Sequence, residues 1–232
     1  MSLDRFGSAF LLLGLGGLSA SCAGGASATF PVGVEASLDT ADFALPMELR
    51  EEDPSGDRVR ALPCGPMGMC PSSGDVPITC EAGTCDPAAQ TVSAVVGDAD
   101  IDELAGDVGE IFSSIDTIEI LALDYNIERN TLTIPTEPLE IYWGPAGAVD
   151  IDSPAVHLLG TVPAVDAGTT GEGAIGLDAA GNAAFSSHFE TTSHRFRFFT
   201  RTTVDLDPGQ RWPEGAIDVQ VRMSVRVEGS IL

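Results

Sequence analysis

The chain has 232 residues, 44% of them hydrophobic, with 35 acidic side chains against 11 basic ones and a formal net charge of −24. That balance excludes nucleic acid and anionic lipid surfaces as partners recognised by charge, because like charges repel. Every base is an arginine, and without lysine there is no Schiff-base chemistry and no lysine-dependent phosphate loop.

In chain order, residues 1–21 read as a signal peptide. The apolar run AFLLLGLGGL (9–18) falls well short of the ~20 residues needed to span a bilayer and has the length of an export leader's apolar region. Arg5 is offset by Asp4, so the segment before it carries little charge. The stretch LSASC (18–22) then resembles the lipobox of bacterial lipoproteins, with Ala20 and Ser21 as the small residues before the cysteine. Leu18 stands one place earlier than the usual aliphatic residue, and Ser19 occupies that place. The resemblance is confined to the first 22 residues. It implies that Cys22 receives a lipid and becomes the mature N-terminus. Ala23 and Gly24 lack the aspartate that retains such proteins in the inner membrane, which implies the outer membrane. The alternative is ordinary cleavage after Ala26–Ser27–Ala28, which discards Cys22 and leaves a periplasmic or secreted protein.

Residues 22–60 read as a tether and extended segment, with one or two strands possible in FPVGVEASLDTADFALPMEL (30–49). A cysteine-rich loop region, 61–88, follows. Once Cys22 is lipidated or removed, Cys64, Cys70, Cys80 and Cys85 remain, an even set suited to two disulfides in an oxidising compartment. Three pairings are open. Local loops, Cys64–Cys70 and Cys80–Cys85, are the expectation, since Gly83 in CEAGTC suits a tight turn. The rival is a four-cysteine zinc site, whose paired ligands usually stand two to four residues apart.

The remainder, 89–232, reads as one β-sandwich-like domain with a short helix. In IDELAGDVGEIFSSI (101–115) the apolar residues Ile101, Leu104, Val108, Ile111, Phe112 and Ile115 step by threes and fours, which predicts a helix. Asp98, Asp100 and Asp102 then suit the positive end of its dipole. The same aspartates open a sequence resembling a calcium loop. Glu103 and Gly109, however, stand where an EF-hand needs glycine and glutamate. From Ala61 to Glu128 there are thirteen acids and no base, a solvated face or a cation-binding surface.

Strands are expected in TIEILALDYNIE (117–128), TLTIPT (131–136) and LEIYWG (139–144). The segment AIGLDAAGNAAFSSHFE (174–190) reads as strand, turn, strand. RFRFFTRTTVDL (195–206) and AIDVQVRMSVRVEGSIL (216–232) carry the strongest period-two pattern, with Ile217, Val219, Val221, Met223, Val225 and Val227 on one face. Joined as a hairpin, these last two strands would gather Arg195, Arg197, Arg201, Arg222 and Arg226 on one outer face. That face is either ion-paired to the chain's own acids or an anion-binding surface.

No G-x-S-x-G and no phosphate-loop motif occurs in the mature part. His157 lies in an apolar segment and reads as a satisfied sheet residue. Trp143 and Trp212 read as core; exposed, they would stack on sugars. The expected fold is mainly β, an antiparallel sandwich or barrel-like domain with one short helix, preceded by a disulfide-braced loop region. The expected function is a lipid-anchored cell-envelope protein acting as a non-catalytic binding, adhesion or structural module. Its expected partners are the membrane through its anchor, envelope proteins or acidic glycans, with no cofactor, no metal and no catalytic residue. The alternatives are a metal-assisted hydrolase using His188, Glu190 and His194, and a calcium-stabilised adhesive module.

Overall fold

The computed structural model describes residues 18–20, 25–42, 45, 47–71, 76–100, 112–191 and 195–231. Its strands in chain order are β1 (Leu18–Ala20), β2 (Gly25–Asp39), β3 (Arg50–Glu51), β4 (Arg58–Val59), β5 (Leu62–Pro63), β6 (Ile78–Glu81), β7 (Thr84–Pro87), β8 (Gln90–Asp100), β9 (Phe112–Asn130), β10 (Leu139–Pro145), β11 (His157–Val162) and β12 (Gly171–Ile175). A helix, α1 (Ala179–Thr191), precedes β13 (Arg195–Val204) and β14 (Ala216–Ile231).

Two antiparallel sheets form the sandwich: a five-stranded sheet in the order β1-β2-β14-β9-β12 and a four-stranded sheet in the order β11-β10-β13-β8. The period-two pattern of β14 does what its alternation requires. Ile217, Val219, Val221, Met223, Val225 and Val227 are buried between the sheets, and Arg222 faces solvent. From the other sheet come Ile141, Trp143, Phe196 and Phe198. The cysteine-rich region folds into one small sheet, β5-β7-β6, and the segment before it forms another, β3-β4. A second apolar cluster, Leu49, Val59, Val204, Leu206 and Trp212, joins it to the end of β13.

Five expectations are corrected here. First, β2 is not tether. It pairs with β14 along fifteen residues, from Gly25 opposite Ser230 to Asp39 opposite Ala216, and buries Ala28, Phe30, Val32 and Val34. The sandwich therefore draws on strands well before residue 89. Second, β13 and β14 are not a hairpin. Each has one apolar face, and the two faces meet across the core from opposite sheets, with Trp212 buried in the crossing segment. Third, 179–191 is helix rather than turn and strand. The Asp178 carboxylate accepts the Gly181 N–H at 2.7 Å, the N-cap bond, and four alanines within the helix favour it. Fourth, the helix expected over 101–115 does not extend to Phe112–Ile115, which belong to β9; 101–111 lie outside the described residues.

Fifth, the disulfides are Cys64–Cys80 and Cys70–Cys85, not the two local loops. The tight turn at Ala82–Gly83 does form, with Gly83 at φ +87°. It sets Cys80 directly opposite Cys85 across the β6–β7 hairpin. Opposed residues project from one face, and the 64–70 loop supplies one partner to each.

Candidate functional site

The inward face of β13 changes size along its length. Phe196 and Phe198 lead to Thr200 and Thr202. At the aromatic end the space between the sheets is filled. Phe185 and Phe189 of α1 pack edge-on against Phe196 at 5.2 and 5.6 Å, and Trp143 meets Phe185 at 5.2 Å. At the threonine end the surrounding residues are small: Ala36 on β2 and Val219 on β14 across the core, with Val92 and Ala94 beside the threonines on β8. Sheets packed about 10 Å apart are not filled by side chains of this size. A cavity of about 570 Å³ remains, within the range of ligand sites.

The cavity opens at the seam between two strand edges, β2 over 36–39 and β8 over 92–95. Leu38, Leu139, Val162, Val165 and Ile217 make the lining mainly aliphatic, with Asp39 at its mouth and no arginine in it. Three threonine hydroxyls are present. Thr136 accepts the Val165 N–H at 3.0 Å. Thr202 donates to the carbonyls of Glu137 and Pro138 at 3.4 and 3.3 Å. Thr200, 7% exposed, has a hydroxyl without a hydrogen-bond partner among the described residues. Ser37 and Ser93 turn their hydroxyls outward, to Asp218 and Arg201 respectively. The sequence reading missed this site; the fall from phenylalanine to threonine along one face of 196–202 was its visible signal.

The five arginines fall on two sheets, not one face. Arg197 holds Asp98 through two bonds of 2.5 and 2.9 Å and donates to the Ala148 carbonyl at 2.8 Å. Arg195 pairs with Asp100 at 3.3 Å. Arg201 pairs with Asp152 at 2.5 Å and lies over the Tyr142 ring at 5.5 Å. On the other sheet Arg226 lies between Glu119 and Glu228 at 2.5 and 3.3 Å, and Arg222 bonds Gln220. Asp98 and Asp100, expected to open a helix or a calcium loop, are thus strand residues opposite Arg197 and Arg195 of β13, and Asp102 lies outside the described residues. The Arg197 hydrogen bond holds the Asp98 carboxyl below the usual range, against the opposing effect of burial.

Trp143 and Trp212 are both buried, at 1% and 3% exposure, as core residues. His157 stacks on Trp143 at 5.4 Å, and His188 packs at 5.4 Å, tilted by 59°. His188 lies on α1, not on a strand. The Glu190 side chain and His194 lie outside the described residues, so the expected three-residue metal set is not assembled among those described. Among the described residues the one tight group of metal-ligating atoms is Cys64, Cys70 and Cys85, with sulfurs within 4.8 Å. These sulfurs are in disulfides and are not thiolates. Cys22 lies outside the described residues.

The two bridges belong to a non-cytoplasmic, oxidising compartment. No helix among the described residues is long and apolar enough to cross a membrane. No protein-family model matches the chain, and no curated protein matches it.

Proposed function

We propose that this chain is a lipid-anchored cell-envelope protein that acts as a non-catalytic binding module and holds an apolar ligand between its two sheets. The cavity is the observation that carries the reading. A sandwich built only for structure gains by filling its interior, since each unfilled ångström forfeits packing contacts. Here one half is closely packed with aromatic rings and the other is left open with an aliphatic lining. The disulfides support export, and the leader with Cys22 supports attachment, at the outer membrane given Ala23 and Gly24. Burial of acyl chains at about 0.8 kcal/mol per CH₂ would hold the chain at a bilayer.

Mass spectrometry of native material tests the attachment. The expected mature chain begins at Cys22 and carries acyl mass. A chain beginning at Met1, or at Thr29 without lipid, would exclude the anchor. Binding is tested on the purified chain with 1,6-diphenylhexatriene, a rod-shaped hydrocarbon that fluoresces when removed from water. Saturable fluorescence at one equivalent is expected. Its absence would exclude the cavity as a binding site.

A further inference from the structure

We propose that the cavity takes an uncharged aliphatic compound carrying one oxygen function, which hydrogen-bonds the Thr200 hydroxyl. This rests on the cavity being a binding site, and it adds the chemistry of the ligand. The apolar lining of Ala36, Leu38, Val92, Ala94, Val162 and Val219 has no ring to stack on, so it favours a flexible chain over a flat aromatic system. Of the three threonine hydroxyls in that lining, one is left over. Thr136 and Thr202 use their hydroxyls on neighbouring backbone, whereas Thr200 is 93% buried by its 7% exposure and its hydroxyl is unpartnered among the described residues.

The Thr200 hydroxyl is not among the sealed, unpartnered atoms of the described core, so it opens onto the cavity. A cavity of this size admits water to that hydroxyl. A ligand oxygen that displaces the water keeps the bond, whereas a plain hydrocarbon loses it. Charge decides the rest. With no arginine in the lining and a net charge of −24, a carboxylate or phosphate headgroup meets no counter-charge and an opposing field. Alcohols, ketones and esters of medium chain length satisfy all three conditions.

The test uses the purified full chain with its disulfides intact and bound diphenylhexatriene, which has no polar atom. 1-Decanol and decanoate are titrated as competitors against wild type, Thr200→Val and Thr200→Ser. The hydrocarbon is expected to bind all three proteins alike. Decanol is expected to displace it from wild type and Thr200→Ser at about five- to tenfold lower concentration than from Thr200→Val, the value of one hydrogen bond. Decanoate is expected to compete at least tenfold more weakly than decanol with wild type. Equal displacement of the probe by decanol from wild type and Thr200→Val would overturn the Thr200 contact while leaving the cavity reading intact. Decanoate matching decanol would overturn the choice of an uncharged ligand. Failure of the hydrocarbon to bind wild type would remove both the reading and the inference. Should Thr200→Val not fold, Thr200→Ala removes the same hydroxyl and carries the same expectation.

Discussion

Two carboxylates show how differently one residue type behaves in this fold. Asp98 is held below its ordinary range by the Arg197 hydrogen bond, and Asp218 likewise by Arg129 at 2.6 Å. Both contribute stability that is present above the unfolded value of about 3.9 and is lost as pH falls through their lower folded values. Asp86 has the opposite sign. Its Oδ1 is buried with no hydrogen bond, and burial, then the charges of Glu81, Asp207 and Asp205, hold its carboxyl above the usual range. Its folded form binds the proton more tightly, so this contribution weakens as pH rises through the raised value. Asp86→Asn is therefore expected to raise the melting temperature by a few degrees at pH 7, and the gain should shrink towards zero near pH 3, as read by thermal scans. Asp98→Asn is expected to lower it at pH 7, by no more than about 1 kcal/mol for a pair this exposed. The arginines that suggested an anion surface belong to this scale. Apart from Gln220 and Glu228, which lie two residues from Arg222 and Arg226 on β14 itself, their partners come from β8, β9 and the 146–156 segment, which no spacing rule connects to β13 or β14.

Among the elements, α1 is held at two places that sequence spacing does not reveal. Its first turn lies so close to β11 that a Cβ at Gly181 would stand 1.7 Å from the Leu158 carbonyl oxygen. Beyond the end of β12 the Ile120 N–H and carbonyl of β9 have no strand beside them on that edge, and the Asn182 side chain takes both. It donates to the Ile120 carbonyl at 3.1 Å and accepts the Ile120 N–H at 3.3 Å. Asn182→Ala leaves both unpaired in a part-buried setting, and a loss of about 1–3 kcal/mol in urea unfolding is expected. Gly181→Ala is expected to cost as much or more, because backbone must move. In the cysteine-rich region, the Cys64–Cys80 bridge closes a loop with a sequence separation of 16. Replacing both cysteines by serine is expected to cost about 3 kcal/mol through the unfolded state. The loss should be read at the Trp212 cluster by tryptophan fluorescence, since that cluster joins this region to β13.

Taken whole, the sandwich depends on β2 closing the five-stranded sheet at β14. A chain lacking residues 1–39 would turn β14 into an edge strand and expose the buried faces opposite Phe30, Val32 and Val34. It is expected to show no cooperative thermal transition, whereas a chain beginning at Cys22 should unfold in one step. The same strand edge forms one wall of the cavity mouth, so ligand binding and sheet closure involve the same residues.

What the sequence by itself determined is local: the period of two in β13 and β14, the burial of both tryptophans, the turn at Gly83, and the even set of cysteines that calls for an oxidising compartment. Each of these follows from residues within one strand or turn, where the side-chain direction is set by the backbone beside it. The tertiary structure decided which strands are neighbours and which merely face each other. That choice separates β13 from β14, divides the arginines between two sheets, crosses the disulfides and brings α1 against β9 and β11. It also made the cavity, because an unfilled space depends on the sizes of residues contributed by strands far apart in the chain. Beyond the fall from phenylalanine to threonine along 196–202, the small side chains at 36, 94 and 219 carry no pattern until the sheets bring them around Thr200.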